Sequence, residues 1–170
     1  MSDVPGPVVR LGGRWGLAWV RGGPRPEAGY GRGLRRAEES VKAAVRKWEA
    51  VREFALGLPE AVEEYPWGPE DCVVKVNKKI FAFLGGTDGP QPPGISVKLK
   101  DEVLHGHAMA APGAAPTGYG LGRSGWVSVP LGEPGAPSAA VLCEWVEESY
   151  RTVALKRHVR ELDERIASNG

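Results

Sequence analysis

Ten residues, Thr117-Gly118-Tyr119-Gly120-Leu121-Gly122-Arg123-Ser124-Gly125-Trp126, constrain this chain more than any others. Four glycines alternate with bulky side chains and one arginine, and the run leads into the apolar stretch Trp126-Val127-Ser128-Val129. Glycine opens backbone conformations closed to other residues, at an entropic cost on folding. A helix is therefore excluded here, and a shaped loop feeding a strand is expected. The run contains no evident acid, base, nucleophile or metal ligand. It holds Gly120-Leu121-Gly122-Arg123-Ser124-Gly125, formally G-x-G-x-x-G. A dinucleotide-binding loop needs that pattern after a strand and at the start of a helix. Here a strand follows instead. Two readings remain: successive N–H groups form an anion nest, or the loop seats Tyr119 and Trp126 against a sheet.

Around this loop the chain alternates between two periods. Val41, Ala44, Val45, Trp48, Val51, Ala55 and Leu58 recur at helical spacing, and Gly57 and Pro59 end the helix. Val62 to Gly68 reads as an irregular or edge strand because of Pro66. Cys72–Val76 and Ile80–Leu84 read as strands joined by Asn77-Lys78-Lys79, and Ile95–Leu99 and Trp126–Leu131 as two more. Residues 101–110 suit a short helix. Pro137 suits the first turn of a long one carrying Val141, Leu142, Trp145, Val146, Ser149 and Val153, continued by Val159, Leu162 and Ile166 with or without a kink. The order gives an α+β fold of two layers: an antiparallel sheet with helices packed on one face. Trp48 and Trp145 fall on the apolar helix faces and are expected in the core.

The first 36 residues differ in kind. They hold nine glycines, four prolines and seven arginines against two acidic residues, with no sustained period, and are expected to be disordered. They read equally as a basic nucleic-acid arm or as translated upstream sequence from a GC-rich genome, with Val41 as an alternative start. Residues 37–170 form the expected folded domain and carry 15 basic and 19 acidic residues. That mild acidity weighs against broad, non-specific binding to polyanions. Cys72 and Cys143 lie far apart in apolar settings and read as reduced core thiols. No apolar run reaches the length of a membrane helix, and no signal peptide is evident. A cytoplasmic protein with no membrane contact is the expectation.

The ordered part resembles the MmcQ/YjbR family. The resemblance rests on Leu58-Pro59, Glu63-Glu64-Tyr65-Pro66-Trp67-Gly68, Val74-Lys75-Val76, Ile80-Phe81-Ala82-Phe83, Ile95-Ser96-Val97-Lys98-Leu99, Pro116 to Trp126, and Trp145-Val146-Glu147-Glu148-Ser149-Tyr150-Arg151. It spans about residues 44–165. It implies a two-layer fold related to frataxin-like (CyaY-like) and secretion-chaperone-like domains, and a DNA-binding role. The segment 1–36 has no counterpart. Leu155 departs from the family pattern, which often has proline there, so a longer straight helix is compatible with the sequence.

The residues offer few alternatives to binding. Lys75, Lys78 and Lys79 lie on one expected hairpin, and Lys98, Lys100 and Arg123 join them as candidate phosphate contacts, with Tyr65, Trp67, Tyr119 and Trp126 as stacking or pocket residues. Lysines also protect sheet edges with no ligand at all, and Glu63, Glu64, Glu70 and Asp71 oppose their field. Glu63 and Glu64 in a strand point to opposite faces and share no task, while Glu147 and Glu148 are placed to pair with Arg151 along a helix. His105 and His107 lack any usual metal-ligand spacing. The expectation is no enzyme, no catalytic residue, no metal and no cofactor. A DNA-binding module is the first reading; a non-enzymatic adaptor for a protein or small ligand is the other, and a protein partner or homodimer is compatible with both.

Overall fold

The computed structural model describes residues 4–11, 14–20, 30–88 and 92–170. Its main body is a six-stranded antiparallel sheet in the order β3-β4-β5-β6-β8-β7. The strands are β3 (Ala61–Glu64), β4 (Cys72–Val76), β5 (Lys79–Gly85), β6 (Gly94–Lys98), β7 (Ala115–Pro116) and β8 (Trp126–Pro130). The helices are α1 (Tyr30–Leu56), α2 (Glu102–Ala110), α3 (Ala139–Val153) and α4 (Lys156–Ser168). The α+β fold read from the sequence is the fold observed. Strand β7, two residues long, carries no periodic signal and was not anticipated.

Alternation decides which side chains meet the helices. Val74 and Val76 of β4, Ile95 and Val97 of β6, and Val127 and Val129 of β8 all point to one face. There they pack with Val51 and Ala55 of α1 and Leu142, Trp145, Val146 and Tyr150 of α3. A register shift between the partners of Val74 and Lys75 leaves Phe81 as an extra residue. Phe81 and Ala82 both join this core, and the Phe81 ring meets Tyr150 edge-on at 5.2 Å. Trp48 donates its indole N–H to the Leu84 carbonyl at 2.7 Å. Among the described residues, no α-helix joins the cluster on the opposite face. Val73, Phe83 and Trp126 form a smaller cluster there, with Ile80 and Leu121 against it.

Two N-terminal strands, β1 (Val4–Leu11) and β2 (Arg14–Val20), pair antiparallel with each other. Valine, leucine and tryptophan in these stretches suit strand backbone, whereas disorder was expected over residues 1–36; the remainder of that segment up to 29 lies outside the described residues. Helix α1 starts at Tyr30, ahead of the expected onset near Ala37. Leu34 to Glu39 are good helix formers, so the helix propagates beyond the part that touches the core.

The long C-terminal helix is broken. Ala154 and Leu155 are both extended, with ψ of 154° and 149°. Arg151 bridges Glu147 on its own helix and Asp163 on α4, each at 2.8 Å. His158 and Leu162 are buried. Docking of α4 back onto the body through Asp163 thus accompanies the break at Ala154–Leu155. At the start of α3 the cap is Ser138, whose hydroxyl accepts from the Val141 N–H. Pro137 therefore precedes the helix instead of opening it. Among the described residues no helix is long and apolar enough to cross a membrane.

Candidate nucleic-acid interface

Strand direction sorts the predicted site residues between the two ends of the sheet. Residue pairs Val76↔Lys79, Ala82↔Val97 and Lys98↔Trp126 place the β4–β5 turn, the end of β6 and the start of β8 at one end. Lys78, Lys79, Lys98, Lys100 and Arg123 all lie there. Lys79 directly opposes Val76 on the helix-covered face and Lys98 opposes Trp126 on the open face, so these cations share one end of the sheet but not one face. None of the five makes an ion pair among the described residues. Asp101 and Glu102 sit beside them, and Asp101 is engaged in capping α2 through the N–H groups of Val103 and Leu104.

Lys75 is the exception. Its ammonium is tied to the Glu64 carboxylate on the sheet face away from the helices. Register explains the pairing: Lys75 opposes Val62, and Glu64 lies two residues along β3 on the same face. Lys75 is therefore withdrawn from the phosphate-contact set, because its charge is already matched.

The aromatic candidates divide. Tyr65 and Trp67 follow β3 and lie at the end away from the cations. Trp67 is 58% exposed and stacks on Phe83 with ring centroids 6.4 Å apart. Phe83 in turn meets Trp126 at 5.1 Å. Trp126 is buried and so supports the site without offering a free face. Tyr119 stands at the cationic end and is 78% exposed. The glycine loop thus seats Trp126 but not Tyr119.

Hydrogen bonds tie the loop to the sheet and to itself. Ser96, Ser128 and Thr117 link their hydroxyls across β6 and β8 to the loop entry, at 2.7 and 2.9 Å. Gly122 donates to the Thr117 carbonyl at 2.9 Å, and Leu121 to Gly118 at 3.2 Å. A short 3₁₀ turn, Leu121–Ser124, closes the loop. Gly125 has φ +89°, and a Cβ there would stand 2.7 Å from the Leu99 carbonyl oxygen, so only glycine fits. The N–H groups of Leu121, Gly122, Arg123 and Gly125 all donate within the loop. Those four are therefore not free to join the anion nest considered from sequence. What remains is a side-chain groove of about 420 Å³ lined by Lys100, Glu102, His105, Arg123, Ser124 and the Leu99–Gly125 contact. His105 enters it from α2, while His107, two residues on along a helix, diverges.

A second polar cluster joins β3 to α1. Arg52 grips Glu63 with Nε at 3.0 Å and a terminal nitrogen at 2.5 Å. The Tyr65 hydroxyl donates to the same carboxylate, and the Cys72 thiol approaches it at 3.4 Å. Burial raises the Glu63 carboxyl, but hydrogen bonds from Arg52, Tyr65 and Cys72 together outweigh it and leave the group below its ordinary value. The bond to Glu63 and burial push Tyr65 up to about 12. Burial and the bond to Glu63 push Cys72 up to about 12, so the thiol stays protonated and is no nucleophile at neutral pH. A depressed carboxyl stabilises the fold above its unfolded pKa of about 4.3, and that contribution disappears as pH falls through the lower folded value. Glu63→Gln is expected to flatten the acid limb of the stability curve. Melting temperatures of both proteins from neutral pH down to about pH 2.5 check this; parallel curves would contradict it.

The sequence model of the YjbR family matches residues 56–152. The chain belongs to the YjbR family. The matched part of this YjbR protein runs from the end of α1 to the end of α3 and contains the whole six-stranded sheet with the cationic end. The chain is 30% identical over 105 residues to the uncharacterized protein YbdF of Escherichia coli O157:H7, covering 62% of this chain and 82% of that one. It is also similar to the crystal structure of Deinococcus radiodurans protein DR2400, described by its DUF419 domain. That match has a TM-score of 0.52 and 30% identity, over 66% of this chain and 84% of that one.

Proposed function

We propose that this YjbR protein is a DNA-binding module that acts by binding and not by catalysis, with Lys78, Lys79, Lys98, Lys100 and Arg123 contacting phosphates. One observation supports the reading: strand register gathers at a single end of the sheet five cations that lack ion-pair partners among the described residues. Cations serving only to protect an edge have no reason to gather there. The central strands β5, β6 and β8 supply three of the neighbouring positions, and those strands have no free edge to protect. Phosphate contacts of this kind position a domain on nucleic acid without reading sequence.

Lys78→Glu combined with Lys79→Glu is expected to weaken binding of a dye-labelled duplex at low salt by at least about tenfold, alike for unrelated sequences. Fluorescence polarisation measures it. Unchanged affinity would place the contact elsewhere, and no binding by the parent protein would favour the adaptor reading.

A further inference from the structure

Four non-glycine residues among those described have positive φ: Glu60 at +57°, Asn77 at +50°, Lys78 at +64° and Tyr119 at +58°. All four lie at the cationic end of the sheet, since Glu60 directly precedes Ala61, which opposes Val76. A left-handed backbone is unfavourable for side chains other than glycine, asparagine and aspartate. Strain of this kind persists only where the surroundings enforce it, and it collects at working surfaces.

Two of these residues occupy the same kind of turn. Asn77-Lys78 and Tyr119-Gly120 each have positive φ at both central positions, the pattern of a type I′ turn, which favours asparagine and glycine. Leu121 N–H closes the second turn onto the Gly118 carbonyl. Tyrosine is a costly choice at the first central position. It projects a ring that is 78% exposed, although Trp126 in the same loop is buried. The ring contributes nothing to either apolar cluster. Just past the turn, Arg123 donates its N–H to the Gly120 carbonyl and lines the groove with Lys100 and His105. The exposed ring of Tyr119 thus sits one residue before Gly120, whose carbonyl holds Arg123 at a groove that Lys100, His105 and the Glu102 carboxylate also line.

We infer that Tyr119 stacks on an unpaired nucleobase while Lys100, His105 and Arg123 hold the phosphate of that nucleotide, so that the surface takes single-stranded nucleic acid in preference to a closed duplex. This rests on the phosphate-binding reading above. Stacking needs an accessible base face, which a continuous duplex hides between its neighbours. Phosphate contacts alone distinguish the two forms poorly.

The test uses the full chain and two dye-labelled probes: a thymidine homopolymer and a hairpin duplex of equal phosphate number. The single strand is expected to bind more tightly. Tyr119→Ala is expected to lose about tenfold on the single strand and to change duplex affinity less than about twofold, consistent with the loss of one base–aromatic stack. Tyr119→Trp is expected to retain single-strand affinity. Tyr119→Gly suits the turn backbone, so it is expected to melt no lower than the parent while losing the same affinity, which separates stacking from folding. If Tyr119→Ala and Tyr119→Gly bind the single strand as the parent does, while Lys78→Glu with Lys79→Glu weakens it, stacking is wrong and phosphate binding survives. Equal loss on both probes also overturns stacking. Absence of binding to either probe by the parent overturns both readings.

Discussion

Raising monovalent salt from about 50 to about 200 mM is expected to weaken duplex binding roughly 500-fold if all five free cations touch phosphates. The magnitude follows from counterion release, where each neutralised phosphate contributes about 0.9 to the slope of log affinity against log salt. Lys75 adds nothing, because Glu64 already holds its ammonium. A titration of polarisation against salt gives the slope. A slope near zero would remove the electrostatic basis of the proposal, and a slope well above five would require cations beyond those named. Lys78→Glu with Lys79→Glu should lower the slope by about two.

Ser149→Ala is expected to destabilise the fold by about 2–4 kcal/mol. Ser149 is fully buried on α3. Its hydroxyl donates to the Phe81 carbonyl at 2.5 Å and accepts from the Lys98 N–H at 2.8 Å. Alanine leaves both backbone groups without this partner inside the protein, and each such loss costs about 1–3 kcal/mol. Urea unfolding of parent and variant measures the difference, and a change below about 0.5 kcal/mol would mean that water replaces the hydroxyl. The site should feel the change as well. Ser149 ties α3 to the end of β6, and Lys98 and Lys100 extend from that point.

Much of this fold was legible because its elements are strongly periodic. The apolar spacing from Val41 to Leu58 marks the core-facing part of α1, and the alternation of Ile95 to Leu99 marks β6. The break at Ala154–Leu155 was not legible, since both residues accept helix and the cause lies in the distant docking of Leu162 and Asp163. The cap at Ser138 was obscured by Pro137, which sits one residue outside the helix.

The candidate site was legible as residue types and not as a place. Charge and hairpin position pointed to the lysines. Their gathering follows from strand direction, which brings the turn at Lys78 level with Arg123, more than forty residues later in the chain. The same directions carry Tyr65 and Trp67 to the other end. The Lys75–Glu64 pair needed the β3–β4 register. The exposure of Tyr119 had a local cue in its flanking glycines, but the sequence left open whether the ring turned inward.

The carboxylate shared by Arg52, Tyr65 and Cys72 has a practical corollary. With its proton held to about pH 12, the Cys72 sulfur is almost wholly unionised in ordinary buffers, and burial raises Cys143 in the same direction. Thiolate is the form that alkylating reagents and peroxides attack. Cys72 should thus react slowly with alkylating reagents at neutral pH.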